Sequence, residues 1–576
     1  MLSNNLAPVD TSRTHPRLIL QPSDPEPPPE GEDANPTLTE AQFARLCGYG
    51  VASEVAAGEI LFKVGDTGSD MIVLATASAE VVREATADAA AQIIVRHGPH
   101  EFLGEMALLT GQAIYLTGRV TKPGRIFRIG QPAFRHLMST DGELSDIVLT
   151  ALQARRRLMQ GSAARTIEII GNDPSAASMA LRTYASRMEL PHLWVDAADP
   201  AGVALMRVAG LGVADLPAVL LQGETLRRAS PGVLAQKVGH AYRALADEDV
   251  DLVVVGGGPA GLAAAVYGAS EGLKTVLLDA VAPGGQAAAS ARIENYLGFP
   301  NGLSGADLTS RAAVQALKFG ARLYAPCEVA HLEVGGPLLR LRLADGATID
   351  TRAVIVASGA RYRKLPLDRW AEFEGAGIHY AATELEVRDC AGQPATVVGG
   401  ANSAGQAALY LASRGSQVAL VVRGPELRAG MSAYLVDRLV EDPMVSIFTS
   451  TEVTALAGAE RLDGVRLTNR SSGALTQLRS MGLFCFIGAA PATEWLEGVA
   501  VDDAGFILTD VEIPAAAIGP AWLAARRKPL PFETSVPGVF AAGDVRLGSM
   551  KRVAAAVGEG ASAVASVHRA IAGVRP

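Results

Sequence analysis

The sequence predicts a multidomain protein in which a small β-barrel or sandwich and a small α/β unit precede a long α/β region. Three observations carry this. Short alternating runs parted by Gly/Asp turns, GEILFKVGDTGSDMIVLATASAEVV and AQIIVRHG, lie between residues 58 and 98. A strand–helix–strand order then runs from RTIEIIG to PHLWVD. From residue 249 onward, glycine-rich turns follow apolar strands. A chain of 576 residues accommodates roughly three to five domains of ordinary size.

The elements follow in order. Residues 1–37 contain QPSDPEPPPEGEDANP, Pro-rich and acidic. Such a segment buries too little apolar surface to fold, so a disordered tail is expected. TLTEAQFARLCGYG predicts a short helix with Thr39 as its cap. A helical stretch over 131–160 closes the first unit, 38–160. In the second unit, 165–240, the strand RTIEIIG leads into a helix through ASMALRTYASRM and a strand PHLWVD. DLPAVLL and ETLRR predict a strand pair, and SPGVLAQKVG a last helix.

The chain is 49% hydrophobic and 19% charged, with net charge −9. No basic face of the kind that binds phosphate backbones is expected, so neither nucleic acid nor an anionic membrane is an expected partner. ARRR at 154–157 reads as a solvated helix face. The opening MLSNNLAPVD has no basic n-region and no apolar core; no signal peptide and a cytoplasmic location are expected. Leu252–Ser270 is uncharged over membrane length but holds five Gly and a Pro. The four cysteines, Cys47, Cys327, Cys390 and Cys485, form no CxxC, and the nine His form no HxxxH or HxH. That spacing excludes a disulfide framework and gives no metal site.

The clearest motif is VDLVVVGGGPAGLAAAVYGASEGLKTVLLDA at 250–280. Gly256, Gly258 and Gly261 form GxGxxG after an apolar run suited to a buried parallel strand. The first glycine permits the turn, the second admits a pyrophosphate, and the third lets helix pack on strand. The helix N-terminus then faces the phosphates. Asp279 ends the next strand, 23 residues after Gly256, where a carboxylate accepts hydrogen bonds from a ribose. A second turn, ATVVGGANSAGQAALYLASRGSQVALVVRGPELRAG at 395–430, has Gly399, Ala401 and Ala404 in the three glycine positions. No acid ends its following strand; Arg423 and Arg428 stand there instead. Arginines pair with a 2′-phosphate that a carboxylate would repel, so NADPH is favoured over NADH. Two nucleotide sites, one nested within the other domain, imply electron transfer between two dinucleotides.

Residues 250–573 resemble bacterial thioredoxin reductase. GGGPAGLAAAVYGA, PGGQ (283–286), IENYLGFP (293–300), VIVASGA (354–360), FIGAAPATEWL (486–496) and VPGVFAAGDV (536–545) fall in that family's order. The resemblance implies two nested Rossmann-like domains, FAD-binding at 248–362 plus 487–576 and NADPH-binding at 363–486, and a homodimer. It implies FAD contacts from Gly256, Gly258, Pro259, Ala260, Gly261, Asp279, Gly285, Gln286, Asn295, Ala357, Gly359, Gly543, Asp544, Arg552 and Val553. It implies NADPH contacts from Gly399, Ala401, Asn402, Ser403, Ala404, Arg423 and Arg428. The family's segment GVSxCATC aligns with GIHYAATE, so Ala381 and Glu384 stand at the two thiol positions. A disulfide needs two sulfurs, and the usual dithiol relay is not expected. Glu384 reads either as a proton relay facing the flavin or as a surface glutamate near a helix start. The family's second NADPH-domain arginine is Gly424 here, and its RQ pair near the flavin is Lys551-Arg552.

Residues 40–150 resemble a cyclic-nucleotide-binding domain through GEILFKVGD and FLGEMALLTG. The resemblance places a ligand pocket at Gly104 and Glu105, with Glu105 toward a ribose 2′-OH. The phosphate-binding arginine position is Ile114, and losing that contact costs roughly 1.5–3 kcal/mol. A nucleotide-like effector and a structural, dimerising role both stay open. Residues 165–240 resemble a thioredoxin fold through strand order and DLPAV, with Pro217 at the cis-proline position. GNDPSAASM replaces the CxxC loop, which points to an adaptor role.

Three functions are expected to compete. The first is an FAD-dependent, thioredoxin reductase-like oxidoreductase that oxidises NADPH and passes electrons to an external acceptor: a quinone, a small redox protein, oxygen or a disulfide partner. The second is a nucleotide-responsive redox sensor with slow turnover. The third is a thioredoxin-disulfide reductase that uses a partner's thiols.

Overall fold

The computed structural model describes residues 34–85, 90–160, 166–172, 175–221, 223–243, 249–290, 292–293, 295–374, 376–380, 382, 386–387 and 390–572.

The first unit opens with helix α1 (Glu40–Cys47), whose N-cap Thr39 and Gln42 form a reciprocal capping box. Two four-stranded antiparallel sheets follow, built from β1 (Val51–Val55), β2 (Ile60–Phe62), β3 (Met71–Leu74), β4 (Ser78–Arg83), β5 (Gln92–His97), β6 (Phe102–Leu103), β7 (Thr117–Lys122) and β8 (Gly124–Ile129). Their orders are β1-β8-β3-β6 and β2-β7-β4-β5. The short helix α2 (Ala107–Thr110) interrupts the strands. Helices α3 (Gln131–Thr140) and α4 (Gly142–Leu158) close the unit, inside the expected 131–160. The expected tail boundary at 37 needs correction. Ala34 is already buried, and its carbonyl accepts from Arg155 Nε at 2.7 Å. Packing against the β unit therefore begins before the Pro-rich segment's end, and residues 1–33 lie outside the described residues.

The second unit comprises β9 (Ile167–Gly171), α5 (Ala176–Arg187), β10 (His192–Asp196), α6 (Pro200–Ala209), β11 (Ala218–Leu221), β12 (Glu224–Leu226) and α7 (Pro231–Val238). The sheet order is β10-β9-β11-β12. β9 and β10 are parallel, and β11 runs antiparallel to β9 and β12. The sequence reading missed α6, although Pro200 at its first position and Gly210 beyond its end are start and stop signals. The Leu216–Pro217 peptide bond is cis.

The long α/β region holds two sheets of one plan. In the first, β13 (Val250–Val255) pairs in parallel with β14 (Thr275–Leu278) and β18 (Thr348–Val356). β15 (Arg322–Tyr324) extends β14, and β16 (Val329–Glu333) and β17 (Leu339–Leu343) form an antiparallel meander onto β18. Helix α8 (Pro259–Ser270) follows β13, and α9 (Gly305–Lys318) precedes β15. Leu252–Ser270 is thus a strand, a glycine turn and a core helix. No helix among the described residues is long and apolar enough to cross a membrane.

The chain leaves this sheet through β19 (Ala360–Tyr362), helix α10 (Trp370–Phe373) and β20 (Ile378–His379). The second sheet has β21 (Ala395–Val398), helix α11 (Asn402–Ser413), β22 (Val418–Val421), α12 (Ala433–Glu441) and β23 (Val445–Phe448). A meander of β24 (Thr451–Gly458), β25 (Leu462–Asn469) and β26 (Leu475–Arg479) leads to β27 (Gly482–Cys485). The parallel order is β20-β27-β21-β22-β23. β28 (Ala489–Pro491) returns against β19. After α13 (Pro520–Ala525), β29 (Val539–Ala541) rejoins the first sheet beside β18, and α14 (Val553–Ala572) packs on α8. The second sheet is therefore inserted into the first domain's chain.

Candidate functional site

Both glycine turns open onto helix N-termini with no side-chain cap. Gly258 precedes α8 and Ala401 precedes α11, and neither supplies a capping oxygen. The first-turn N–H groups thus suit an anion. Gly256 has φ +109°, and a Cβ there would meet Ala357 O at 2.2 Å. Gly399 repeats this in the second turn, at φ +149° and 2.4 Å from Phe486 O. Each first glycine passes beneath the carbonyl ending the neighbouring strand.

Around the first turn the structure gathers most of the expected contacts. Gly285 has φ +54°, and a Cβ on it would stand 2.8 Å from Gly258 Cα. That leaves a cradle with bare backbone on both sides. Gln286 is anchored by Nε2 donating to Ala360 O at 2.6 Å. Asp279 accepts from the N–H groups of Gly257, Val281 and Ala282 at 2.7, 2.8 and 2.8 Å. Three of its four acceptor positions hold the turn, which leaves one for a ribose hydroxyl. Burial raises its pKa against the pull of those donors and of Arg187. Asp544 is half-buried and makes no hydrogen bond among the described residues; burial raises its pKa, opposed by Lys551. Pro259, Ala260 and Gly261 lie in the first turn of α8, Ala357 and Gly359 follow β18, and Val553 begins α14. Asn295 and Arg552 are exposed. These residues fit a dinucleotide held along the strand ends.

The sequence reading missed what shapes the far wall. Glu559 on α14 pairs with Arg546 at 2.9 Å and accepts from Gly543 N at 2.8 Å. This largely buried ion pair sets the loop that carries Asp544. A Cβ on Gly560 would meet Ala260 O at 2.0 Å, so α14 crosses α8 with backbones nearly touching. The EGxS run in a C-terminal helix was the available signal.

At the second turn, Asn402 Oδ1 accepts from Ser432 N and Oγ at 2.8 and 3.0 Å, and Ser403 and Ala404 continue the first turn of α11. Arg423 and Arg428 are both exposed on the side where the acid is absent. Arg428 Nη2 already pairs with Asp437 at 2.6 Å.

Ala381 and Glu384 lie outside the described residues. Between them, Ala382 is buried and forms a parallel bridge with Ser290, which follows Gln286 on the first domain. Tyr380 stacks on Tyr362 at 5.4 Å with planes 5° apart, and its hydroxyl donates to Glu374 at 2.6 Å. Cys47, Cys327, Cys390 and Cys485 are all buried, none in a disulfide, and each belongs to a different core cluster. Burial pushes the thiols of Cys47 and Cys485 up to about 11 and that of Cys327 to about 12. Among the described residues no group of three His, Cys, Asp or Glu side chains could hold a metal.

In the first unit Glu105 sits between the barrel and α2. Burial pushes its carboxyl up to about 7, opposed by Arg156 and by the Tyr115 backbone N–H. Gly104 O accepts from Arg155 Nη1 at 2.8 Å. Ile114 is buried, its N–H bonded to Asp66 O at 2.9 Å.

The family model for pyridine nucleotide-disulphide oxidoreductases matches residues 250–560. The chain belongs to that family. A cyclic nucleotide-binding domain model matches residues 52–141. The chain is 34% identical over 331 residues to NADPH-dependent thioredoxin reductase 3 of Arabidopsis thaliana, of whose length it covers 58%. It is 32% identical to the thioredoxin reductase of Streptomyces clavuligerus over 56% of this chain and 94% of that protein. The thioredoxin reductase structure from Lactococcus lactis, in its FR conformation, superposes with TM-score 0.50 at 29% identity, over 57% of this chain and 100% of the other. That from T. acidophilum matches with TM-score 0.50 and 28% identity over 56% and 99%. Family members of the thioredoxin reductase type are NADPH-dependent flavoprotein oxidoreductases that use FAD. The family match thus spans the nested pair of dinucleotide sheets.

Proposed function

We propose that this chain is an NADPH-oxidising flavoprotein that passes electrons to an external acceptor without a dithiol of its own. The observation that carries the reading is the separation of its four thiols. Each is buried in a different cluster while both dinucleotide turns are open. FAD, when bound, supplies two-electron chemistry by accepting a hydride. The chain's residues bind and orient. Gly256, Gly258, Gly261 and Gly285 admit the FAD pyrophosphate, the α8 N-terminus faces it, and Asp279 offers its remaining acceptor position to the ribose. The α11 N-terminus and Arg423, with Arg428 drawn from Asp437, receive NADPH. The bridge between Ser290 and Ala382 holds Ala382, which lies between the two former thiol positions, against the FAD domain. A homodimer and a cytoplasmic location belong to this reading.

The units over 38–160 and 165–240 are read as a cyclic-nucleotide-binding type domain and a thioredoxin-like domain. The strand order β10-β9-β11-β12 supports the second assignment. Both serve as adaptor or regulatory modules, with the dinucleotide domains at 248–362 plus 487–576 and 363–486.

Anaerobic addition of NADPH to the purified, FAD-loaded chain tests the reading. Bleaching of the flavin band without reduction of added thioredoxin is expected. An unbleached flavin refutes it. Rapid thioredoxin reduction instead favours partner thiols.

A further inference from the structure

A cavity of about 130 Å³ lies where all three parts of the chain meet. The first unit contributes Met106, Thr110 and Arg156, and the second contributes the end of α5 and His240. The FAD-type domain supplies an apolar floor from Ala306, Ala313, Val314 and Leu317 on α9, together with Pro283 and Ala288.

The polar wall is incomplete. Arg156 is 5% exposed and Ala154 fully buried, which corrects the solvated helix face expected at 154–157. Arg156 Nε and Nη2 donate to Glu189 O and Met188 O at 2.9 and 2.8 Å, while Nη1 finds no acceptor. Arg187 brings a second cation to the wall, and Glu189, also in the wall, takes the Ser310 hydroxyl. His240 is satisfied on both nitrogens, by Tyr184 and Gln112, and burial lowers its pKa to about 3. It is therefore a neutral wall group. Arg156 lines the cavity, its charge also acts on the Glu105 carboxyl, and its buried guanidinium keeps one spare donor, which calls for an anion or water.

Size decides the class. A cavity of about 150 Å³ accepts benzene, a molecule of six non-hydrogen atoms. Nucleotide-sized ligands need sites of roughly 300 Å³ or more. We propose that this junction binds a small organic anion, a monocarboxylate of up to about six non-hydrogen atoms, and thereby tunes the FAD site. The carboxylate meets Arg156 Nη1, and the apolar chain rests on α9.

The coupling is structural. Gly305, the first residue of α9, donates to Ser290 O at 2.8 Å, and a Cβ there would meet Ala287 O at 1.7 Å. A Cβ on Gly284 would meet Ala288 Cβ at 2.6 Å and Thr309 Oγ1 at 2.9 Å. The loop carrying Gly285 and Gln286 is thus clamped to the helix that floors the cavity. Occupancy holds α9 and that loop in one arrangement, and linkage makes the effect mutual between ligand and FAD. The binding half stands independently of the flavin reading; the coupling half rests on it.

Butanoate is the probe, with butanamide as its uncharged counterpart, titrated calorimetrically into the full-length protein. Saturable butanoate binding is expected. Arg156→Gln should weaken it at least about tenfold, the loss of one charge-assisted contact. Arg156 also braces the second unit, so Ala313→Leu provides an independent variant. It should abolish binding by filling the floor while leaving NADPH-driven flavin bleaching intact. Saturating butanoate should shift the FAD dissociation constant, read by flavin fluorescence. No saturable binding, equal binding of butanamide, or binding that survives both substitutions overturns the site. Binding with unchanged FAD affinity overturns the coupling.

Discussion

The two glycine turns share a plan and differ at their third small residue. In the first turn a Cβ on Gly261 would stand 1.8 Å from Gly256 O. In the second, Ala404 occupies that place with a real Cβ, which lies 3.0 Å from where a Cβ on Gly399 would be. Helix α8 thus meets its first glycine with no room for a methyl group, whereas α11 carries one at the same place. The first turn is braced from three sides, by Asp279, by the Gly285 loop and by α14 through Gly560. The second is braced by Asn402 with Ser432 and by Gly430, where a Cβ would stand 2.8 Å from Gly400 O, and it ends in exposed arginines. A cofactor that stays bound suits a turn locked by many contacts. A cofactor that exchanges each cycle suits a turn with few.

The largest expected effect comes from Gly261→Ala. A methyl group at that distance forces α8 off its strand, so loss of FAD and a destabilisation of several kcal/mol are expected, at the upper end for overpacking. The mirror change, Ala404→Gly, should cost only about 0.5–1 kcal/mol, the usual penalty for glycine in a helix. Chemical denaturation with flavin fluorescence checks both; similar costs would break the comparison.

Next comes Glu559→Gln. Removing one partner of a largely buried pair costs about 3–5 kcal/mol, and Gly543 loses a charged acceptor. Weaker FAD binding with unchanged NADPH affinity is expected, read by equilibrium dialysis of each nucleotide.

Arg423→Ala should raise KM for NADPH about tenfold and leave KM for NADH unchanged, the value of one charge-assisted contact to a 2′-phosphate. Steady-state kinetics with both nucleotides decide it. Asp437→Asn, which releases Arg428, should act in the opposite direction and more weakly.

The smallest effect is a pH slope. Burial raises the Asp279 pKa above its ordinary 3.8. The folded apoprotein then binds a proton more tightly than the unfolded chain. This contribution to stability is full below pH 3.8 and is lost as pH rises through the folded value. No acid stands at the equivalent place in the second turn. Urea midpoints of the apoprotein between pH 4 and 7 should show the slope, and Asp279→Asn should remove it.

Much of the fold was legible in the residues. The GxGxxG spacing, the apolar run Leu252–Val255 and Asp279 at the next strand's end together predict one strand–turn–helix–strand unit, because each is a local backbone requirement. Helix α6 was overlooked although its caps were visible. Ala34 was assigned to the tail because its burial depends on Arg155, 121 residues away. The EGxS run at 559–562 was a local signal, but the partners it meets, Arg546 and Ala260, are set by tertiary contacts that the run itself does not name.

The sequence by itself determined the two dinucleotide turns, the arginines in place of a second acid and the lack of any CxxC. These depend on residue identity and spacing, which chain-local geometry obeys. Only the tertiary structure decided that the four thiols sit in four separate cores and that Arg156 keeps a free donor at the junction of three units. Burial and unmet hydrogen-bonding capacity belong to what surrounds a side chain, and those surroundings come from residues far apart in the chain.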